Sequence, residues 1–195
     1  MSVHKRIFMI AGPNGSGKTT TALSLLPDLV SVYEFINADE IARGLAPLHP
    51  ENVALTASKL MITRLRDLLK AKKSFAFETT GAGKNYIKHL QQAKSDGYEI
   101  NLMYLWLSDE DLAVKRVAQR VAQGGHHIPE SDIRRRYKQG IKYIIKYYLS
   151  LADNALLIDN SDVDFQKIIA RKNAKEELKI ENMKTWECMH RLSND

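Results

Sequence analysis

Apolar positions along the chain fall into short continuous runs, separated by longer stretches in which apolar residues recur every three or four positions. Five runs read as strands: RIFMIA (6–11), YEFIN (33–37), SFAFE (74–78), INLMYLWL (100–107) and ALLID (155–159). Their mostly continuous apolar character is that of strands buried on both faces of a parallel sheet. Between them, 17–26, 51–72, 84–96, 109–124 and 131–151 carry helical patterns. Strands alternating with helices predict an α/β fold with right-handed crossovers.

Punctuation supports several boundaries. Ser108, with Asp111 three residues on, reads as a capping box opening the fourth helix. Gly97 suits a helix stop before the strand at 100, and Gly124-Gly125 ends the next helix. IPESD restarts one, with Pro129 near its first turn. Residues 173–195 show only a sparse helical stripe (Leu178, Met183, Trp186, Met189). They are expected to be a helical extension packed on the edge of a domain spanning 1–172.

Composition narrows the class. With 195 residues the chain can build one sizeable core, and 44% hydrophobic with 27% charged residues is ordinary for a globular domain. No apolar run approaches the roughly 20 residues of a membrane helix. IFMIA is too short for a signal-peptide core, and the lone Cys188 leaves no intrachain disulfide. A cytoplasmic location without a membrane partner is therefore expected. The net charge of +6 favours anionic partners, which include phosphorylated small molecules as well as nucleic acid. The basic cluster at 134–146 reads as a solvated helix face.

AGPNGSGKTTTA (11–22) changes the picture most. Gly12, Pro13, Asn14, Gly15, Ser16, Gly17, Lys18 and Thr19 form G-x-x-x-x-G-K-[ST], after a strand and opening a helix. Backbone N–H groups of such a loop converge on one anion, and the helix start adds its positive dipole end. Lys18 would reach the β- and γ-phosphates of a nucleoside triphosphate, the Thr19 hydroxyl would ligate Mg²⁺, and Thr20 continues the loop into the helix. Arg116 and Arg120, one helical turn apart, are placed to cap a base and touch phosphates; a solvated basic face is the plainer alternative.

Phosphoryl transfer also needs a group to orient or deprotonate the nucleophile. Asp39, just past the second strand, sits where strand ends line a ligand crevice. It could act as general base, hold Mg²⁺ through water, or cap the following helix. Glu78, Thr79 and Thr80 emerge at the end of the third strand; they suit a polyhydroxylated substrate, or simply cap a turn. QGGHHIPESDIRRRY suggests a lid over about 124–136, hinged at the glycines, with one of Arg134, Arg135 and Arg136 closing over phosphate. His126 and His127 lack Cys or acidic residues at ligand spacing and read as lid contacts rather than a metal site.

GPNGSGKTT, NADEIARGL, FETTGAGK and GGHHIPESDIRRRY, in this order, resemble the zeta-toxin family of P-loop kinases, in its zeta-toxin-domain or predicted-ATPase branch. The similarity spans roughly residues 5–162. It implies a P-loop NTPase fold of kinase-like type: a three-layer sandwich around a central, mostly parallel five-stranded sheet, with a helical lid. It implies ATP–Mg²⁺ as donor and a UDP-activated amino sugar as acceptor. By motif, Lys18 and Thr19 serve the triphosphate, Asp39 is the general base, and Glu78 and Thr80 contact the sugar nucleotide. Arg120 and a lid arginine, Arg135 before Arg134, neutralise the transferring phosphate. Arg43 and His49-Pro50 resemble the basic residue and His-Pro pair that follow the catalytic Asp, which places Arg43 at the acceptor.

The leading expectation is an ATP-dependent kinase acting on a hydroxyl of a small polar acceptor, with any antitoxin a separate polypeptide. A kinase of an antibiotic or of nucleic-acid ends is a second possibility, although no aromatic–basic interleaving marks a nucleic-acid surface. A binding module that hydrolyses ATP slowly as a switch is a third.

Overall fold

The computed structural model describes residues 5–30, 32–125, 127–162 and 165–194. Among these residues, seven strands form one sheet in the order β2-β3-β1-β4-β5-β6-β7. They are β1 (Arg6–Ala11), β2 (Phe35–Ile36), β3 (Phe75–Thr79), β4 (Glu99–Trp106), β5 (Asn154–Asp159), β6 (Lys167–Asn173) and β7 (Glu176–Ile180). The five expected strands make its parallel part, and β6 and β7 extend it antiparallel. The sheet therefore has seven strands where five were expected, and the tail beyond 172 is not wholly helical. AKEELKIE is rich in helix formers, so local propensity points the wrong way; pairing of Ala170 with Ile180 and Arg171 with Lys179 decides the outcome.

Helices are α1 (Lys18–Val30), α2 (Ala38–Leu45), α3 (Ala54–Lys70), α4 (Ile87–Ser95), α5 (Glu110–Ala122), α6 (Glu130–Tyr143), α7 (Leu149–Leu151) and α8 (Met183–Asn194). A π turn, Ile144–Tyr148, joins α6 to α7. α2 was not among the expected helices, and α3 is preceded by a 3₁₀ turn, Pro50–Val53. α5 is capped by Asp109, whose side chain accepts from Leu112 N–H; Ser108 instead donates to Asp109, which corrects the expected cap. Gly97 and Gly124, at φ +80° and +90°, end α4 and α5 through paired backbone bonds from Tyr98 to Ala93 and from Gly125 to Arg120.

The three layers are unequal. One sheet face, with Ile7, Met9, Phe75, Phe77 and Tyr104, packs against α3, α5, α6 and α8. The other, with Ile10 and Ala76, is covered by Ala22 and Leu26 of α1. The strand order places β1 between β3 and β4, so the loop after β1 lies at the point where crossovers diverge to either side of the sheet. Ile133, Tyr137 and Ile141 bury one face of α6, and the Tyr137 hydroxyl donates to Leu107 C=O at 2.8 Å. The segment expected as a lid is thus a short connection followed by the docked first turns of α6. His126 lies outside the described residues.

Candidate active site

The loop after β1 turns at Gly12, Gly15 and Gly17, and the last two adopt φ of +79° and +82°. A Cβ on Gly12 would lie 2.4 Å from Leu105 C=O, so only glycine lets the loop close against β4. Lys18 Nζ donates to Pro13 C=O at 2.9 Å and lies 3.9 Å from Glu78 Oε1. Lys18 and Glu78 are only 7% and 9% exposed, so both are charged groups largely removed from water. Burial pushes the Lys18 amine down and the Glu78 carboxyl up, and their mutual attraction opposes both shifts.

Glu78 is also bound from two other sides. Its Oε2 accepts the Thr19 hydroxyl at 2.7 Å and Asn37 Nδ2 at 2.9 Å. The register explains this convergence: Glu78 pairs with Ile10 and Thr79 with Ala11, so the end of β3 lies beside the loop that holds Lys18 and Thr19. Asn37 also caps α2, accepting from Asp39 N–H at 2.8 Å, so the cap is Asn37 rather than Asp39. Half-buried in the first turn of α2, the Asp39 carboxylate lies close enough to act electrostatically on Lys18 and Glu78.

Two spaces open on either side of this centre. One is a cleft of 980 Å³ lined by Gly17, Thr20, Arg116, Arg120, Asn160 and Gln166, among others. Arg116 donates to the backbone carbonyls of Asn160 and Ser161, both at 2.8 Å. Among the described residues, Arg120 Nε and Nη2 are buried without a hydrogen-bond partner, as are Asn14 Oδ1 and Ser16 Oγ of the loop. Unpaired buried polar atoms are costly unless a ligand or water completes them, and a guanidinium that also repels Lys18 fits an anion between the two.

The second space, 250 Å³, is lined by Glu78, Thr79, Thr80, Asn85, Arg135 and Arg136, among others. Thr79 and Thr80 Oγ1 also accept from the N–H groups of Gly81 and Ala82, capping the turn. Of the three consecutive arginines, Arg134 is held by Glu110, Asp111 and Glu130 at 2.7–3.2 Å, outside this pocket. Arg135 and Arg136 line the pocket while touching Asp132, and Arg136 also acts on Lys18. Arg43 is exposed on α2 and paired with Glu40 at 3.1 Å, outside the pocket lining. Among the described residues no cluster of three His, Cys, Asp or Glu could hold a metal. Mg²⁺ would instead need the Thr19 hydroxyl, the Glu78 carboxylate and phosphate oxygens, a hard-oxygen set that suits it.

Sequence reasoning passed over Asn37 and Asn160, and named Arg136 only as one of three candidate arginines. Asn37 carried a signal, since Asn before an ADE run is a common helix cap. Asn160 follows the fifth strand and so lies at the crevice end of the sheet. Arg136 needed the phase of α6, set by the buried Ile133 and Tyr137.

No described helix is long and apolar enough to cross a membrane. An uncharacterized protein of Haemophilus influenzae is 31% identical over 134 residues, covering 69% of this chain and 93% of that protein. Among solved structures, AvrRxo1-ORF1:-ORF2 with ATP superposes with a TM-score of 0.78 at 16% identity, over 96% of this chain. This chain spans only 64% of that one. A structure of the PezAT chromosomal toxin–antitoxin system of Streptococcus pneumoniae gives a TM-score of 0.66 at 14% identity, covering 96% of this chain and 78% of that chain. These likenesses agree with the strand order in a kinase-like P-loop fold. Residues 7–139 match the AAA domain family (AAA_33), and the chain belongs to that family.

Proposed function

We propose that the protein is a kinase that transfers the γ-phosphate of ATP to a hydroxyl of a small polar acceptor. The observation that carries this reading is a pair of separate spaces flanking one charged centre, Lys18 and Glu78. The larger cleft borders the phosphate loop at Gly17 and Thr20, and the smaller pocket is lined by Glu78, Arg135 and Arg136. Lys18 follows Gly17 in the loop and lies 3.9 Å from Glu78, with Asp39 acting on both. A slow hydrolytic switch needs an oriented water but no second pocket.

In this reading the loop amides and Lys18 hold the β- and γ-phosphates, and Arg120 fills its unmet hydrogen bonds on the transferring group. Asp39 accepts the proton of the acceptor hydroxyl as the new O–P bond forms and the bond from the γ-phosphorus to the β–γ bridging oxygen breaks, releasing ADP. Thr19 and Glu78 are the residues that would hold Mg²⁺, with Asp39 a further carboxylate in reach. When bound, the ion offsets the negative charge of the β- and γ-phosphates. Arg135, or Arg136 beside it, supplies positive charge from the acceptor side.

A UDP-activated amino sugar is the acceptor implied by the motif resemblance. It is supported by a pocket that offers hydroxyls, a carboxylate, an amide and two guanidinium groups to an anionic polyol. Thr79 and Thr80 would meet sugar hydroxyls. A separate antitoxin-like protein belongs to the same reading, supported by the toxin–antitoxin system among the structural neighbours.

Product analysis by mass spectrometry tests the proposal. Purified protein, Mg²⁺–ATP and a panel of UDP-sugars should yield one sugar nucleotide heavier by one phosphate, absent with Asp39→Asn. ATP hydrolysis without transfer to any acceptor would favour the switch instead.

A further inference from the structure

The base end of the larger cleft is built around an oriented chain of side-chain amides. Asn160 Nδ2 donates to Ser16 C=O at 2.7 Å. A carbonyl can only accept, so the Asn160 amide must present its nitrogen to the phosphate loop and its oxygen outward. Gln166 Nε2 donates to that oxygen at 2.8 Å. The Gln166 amide is therefore oriented as well, with its nitrogen spent on Asn160 and its Oε1 left as an acceptor. Both residues line the cleft. Gly17 permits the contact: a Cβ there would lie 3.0 Å from Asn160 Nδ2, and its φ of +82° disfavours any side chain.

Arg116 completes the arrangement. Its two terminal nitrogens are occupied by the carbonyls of Asn160 and Ser161, which fixes the guanidinium plane and leaves its face as a stacking surface. A base lying there meets an acceptor from Gln166 rather than a donor from Arg116. Adenine presents an exocyclic amino donor at the position where hypoxanthine and guanine present a carbonyl oxygen.

We propose that Gln166 is a specificity-determining residue of the nucleotide cleft, its Oε1 oriented by Asn160 to select a purine that carries a 6-amino group over one that carries a 6-oxo group. The inference rests on the reading of this cleft as the nucleotide site. Two facing acceptors repel and leave both without a proton, and such mismatches discriminate by roughly tenfold at a partly exposed site.

The test is calorimetric binding of the β,γ-imido analogues of ATP and inosine triphosphate to the full chain with Mg²⁺. Wild type should bind the adenine form about tenfold tighter. Gln166→Leu should bring the two affinities within about twofold, chiefly by weakening the adenine form. Gln166→Lys, which replaces the acceptor by a donor, should reverse the preference. Asn160→Ala should also narrow the ratio although Gln166 remains, because the amide is then free to turn over. Equal affinities in wild type, or an unchanged ratio in Gln166→Leu, would overturn the assignment. An unchanged ratio in Asn160→Ala alone would overturn the orienting role. Failure of wild type to bind either analogue would instead overturn the nucleotide reading itself. Gln166 is exposed, so its variants should keep the wild-type thermal transition, which serves as the folding control.

Discussion

Glu78 and Thr19 are joined by a 2.7 Å hydrogen bond from the end of β3 to the start of α1, and this bond makes the Glu78 carboxylate part of the phosphate-loop site. The sequence places Glu78 among acceptor contacts, whereas its partners in the structure are Thr19, Lys18 and Asn37. It lines the smaller pocket and bonds Thr19 at the start of α1, so it stands between that pocket and the phosphate loop.

Burial gives Glu78 a signature in stability against pH. Its carboxyl is raised above the ordinary 4.5, chiefly by desolvation. The folded protein therefore keeps this proton to a higher pH than the unfolded chain does. Between the two values the folded state binds more protons, so stability falls as pH rises through that window. Glu78→Gln lacks this titration. Urea unfolding from pH 4.5 to 7 should show wild type losing stability relative to the variant as pH increases; parallel curves would show that the carboxyl is not raised. Lys18 acts oppositely: its amine is lowered, chiefly by burial, so it favours the fold as pH rises toward 10.5, and because it is present in both wild type and Glu78→Gln, the comparison between them reads Glu78.

Lys18→Ala should remove the main cation from the loop while leaving the fold. The loss of a charged hydrogen bond to phosphate is about 1.5–3 kcal/mol, or roughly a ten- to hundredfold weaker affinity. Calorimetry with a non-hydrolysable ATP analogue reads it directly. An unchanged affinity would place the triphosphate elsewhere.

Asp39→Asn keeps the side-chain volume and cannot take a proton. The amide leaves the Asn37 cap intact, because that bond uses the Asp39 backbone N–H. Transfer should fall by about 10²–10⁴-fold while binding of the ATP analogue persists. Wild-type rates in single-turnover transfer would remove Asp39 as the base.

The parallel half of the fold was legible because its strands are continuous apolar runs and its phosphate loop is fixed by glycines at required positions. The antiparallel edge was not: β6 buries only Ile169 and Ala170 among basic residues and β7 is mostly exposed and Lys/Glu-rich, so only pairing in the folded chain distinguishes them from helix. In the site, Lys18 and Thr19 follow from spacing alone. The arrangement around Glu78 depends on β1 and β3 being neighbours in register, a long-range relation that no local pattern carries. Which of the three α6 arginines faces the pocket depends on helical phase and on the carboxylates that hold Arg134, and both are fixed by tertiary packing.

Gly140 offers a test of how the acceptor side is held in place. A Cβ added there would sit 2.8 Å from Thr80 C=O, a backbone atom that cannot swing aside. The loop it would press on is fixed elsewhere: the Tyr148 hydroxyl bonds Gly83 C=O, and a Cβ on Gly81 would meet Ile144 at 3.2 Å. Gly140→Ala should therefore cost about 1–3 kcal/mol by overpacking, despite the higher helix propensity of alanine. Because the strain falls on Thr80 and not on the phosphate loop, the acceptor KM should rise while affinity for the ATP analogue stays unchanged. Gly44 supplies the control. It lies in α2 with no atom within 4 Å of its would-be Cβ, so Gly44→Ala should stabilise the protein by roughly 0.5–1 kcal/mol. Denaturant unfolding of the two variants separates the effects: equal shifts of the same sign would mean that α6 does not press on the acceptor loop, and opposite shifts would mean that it does.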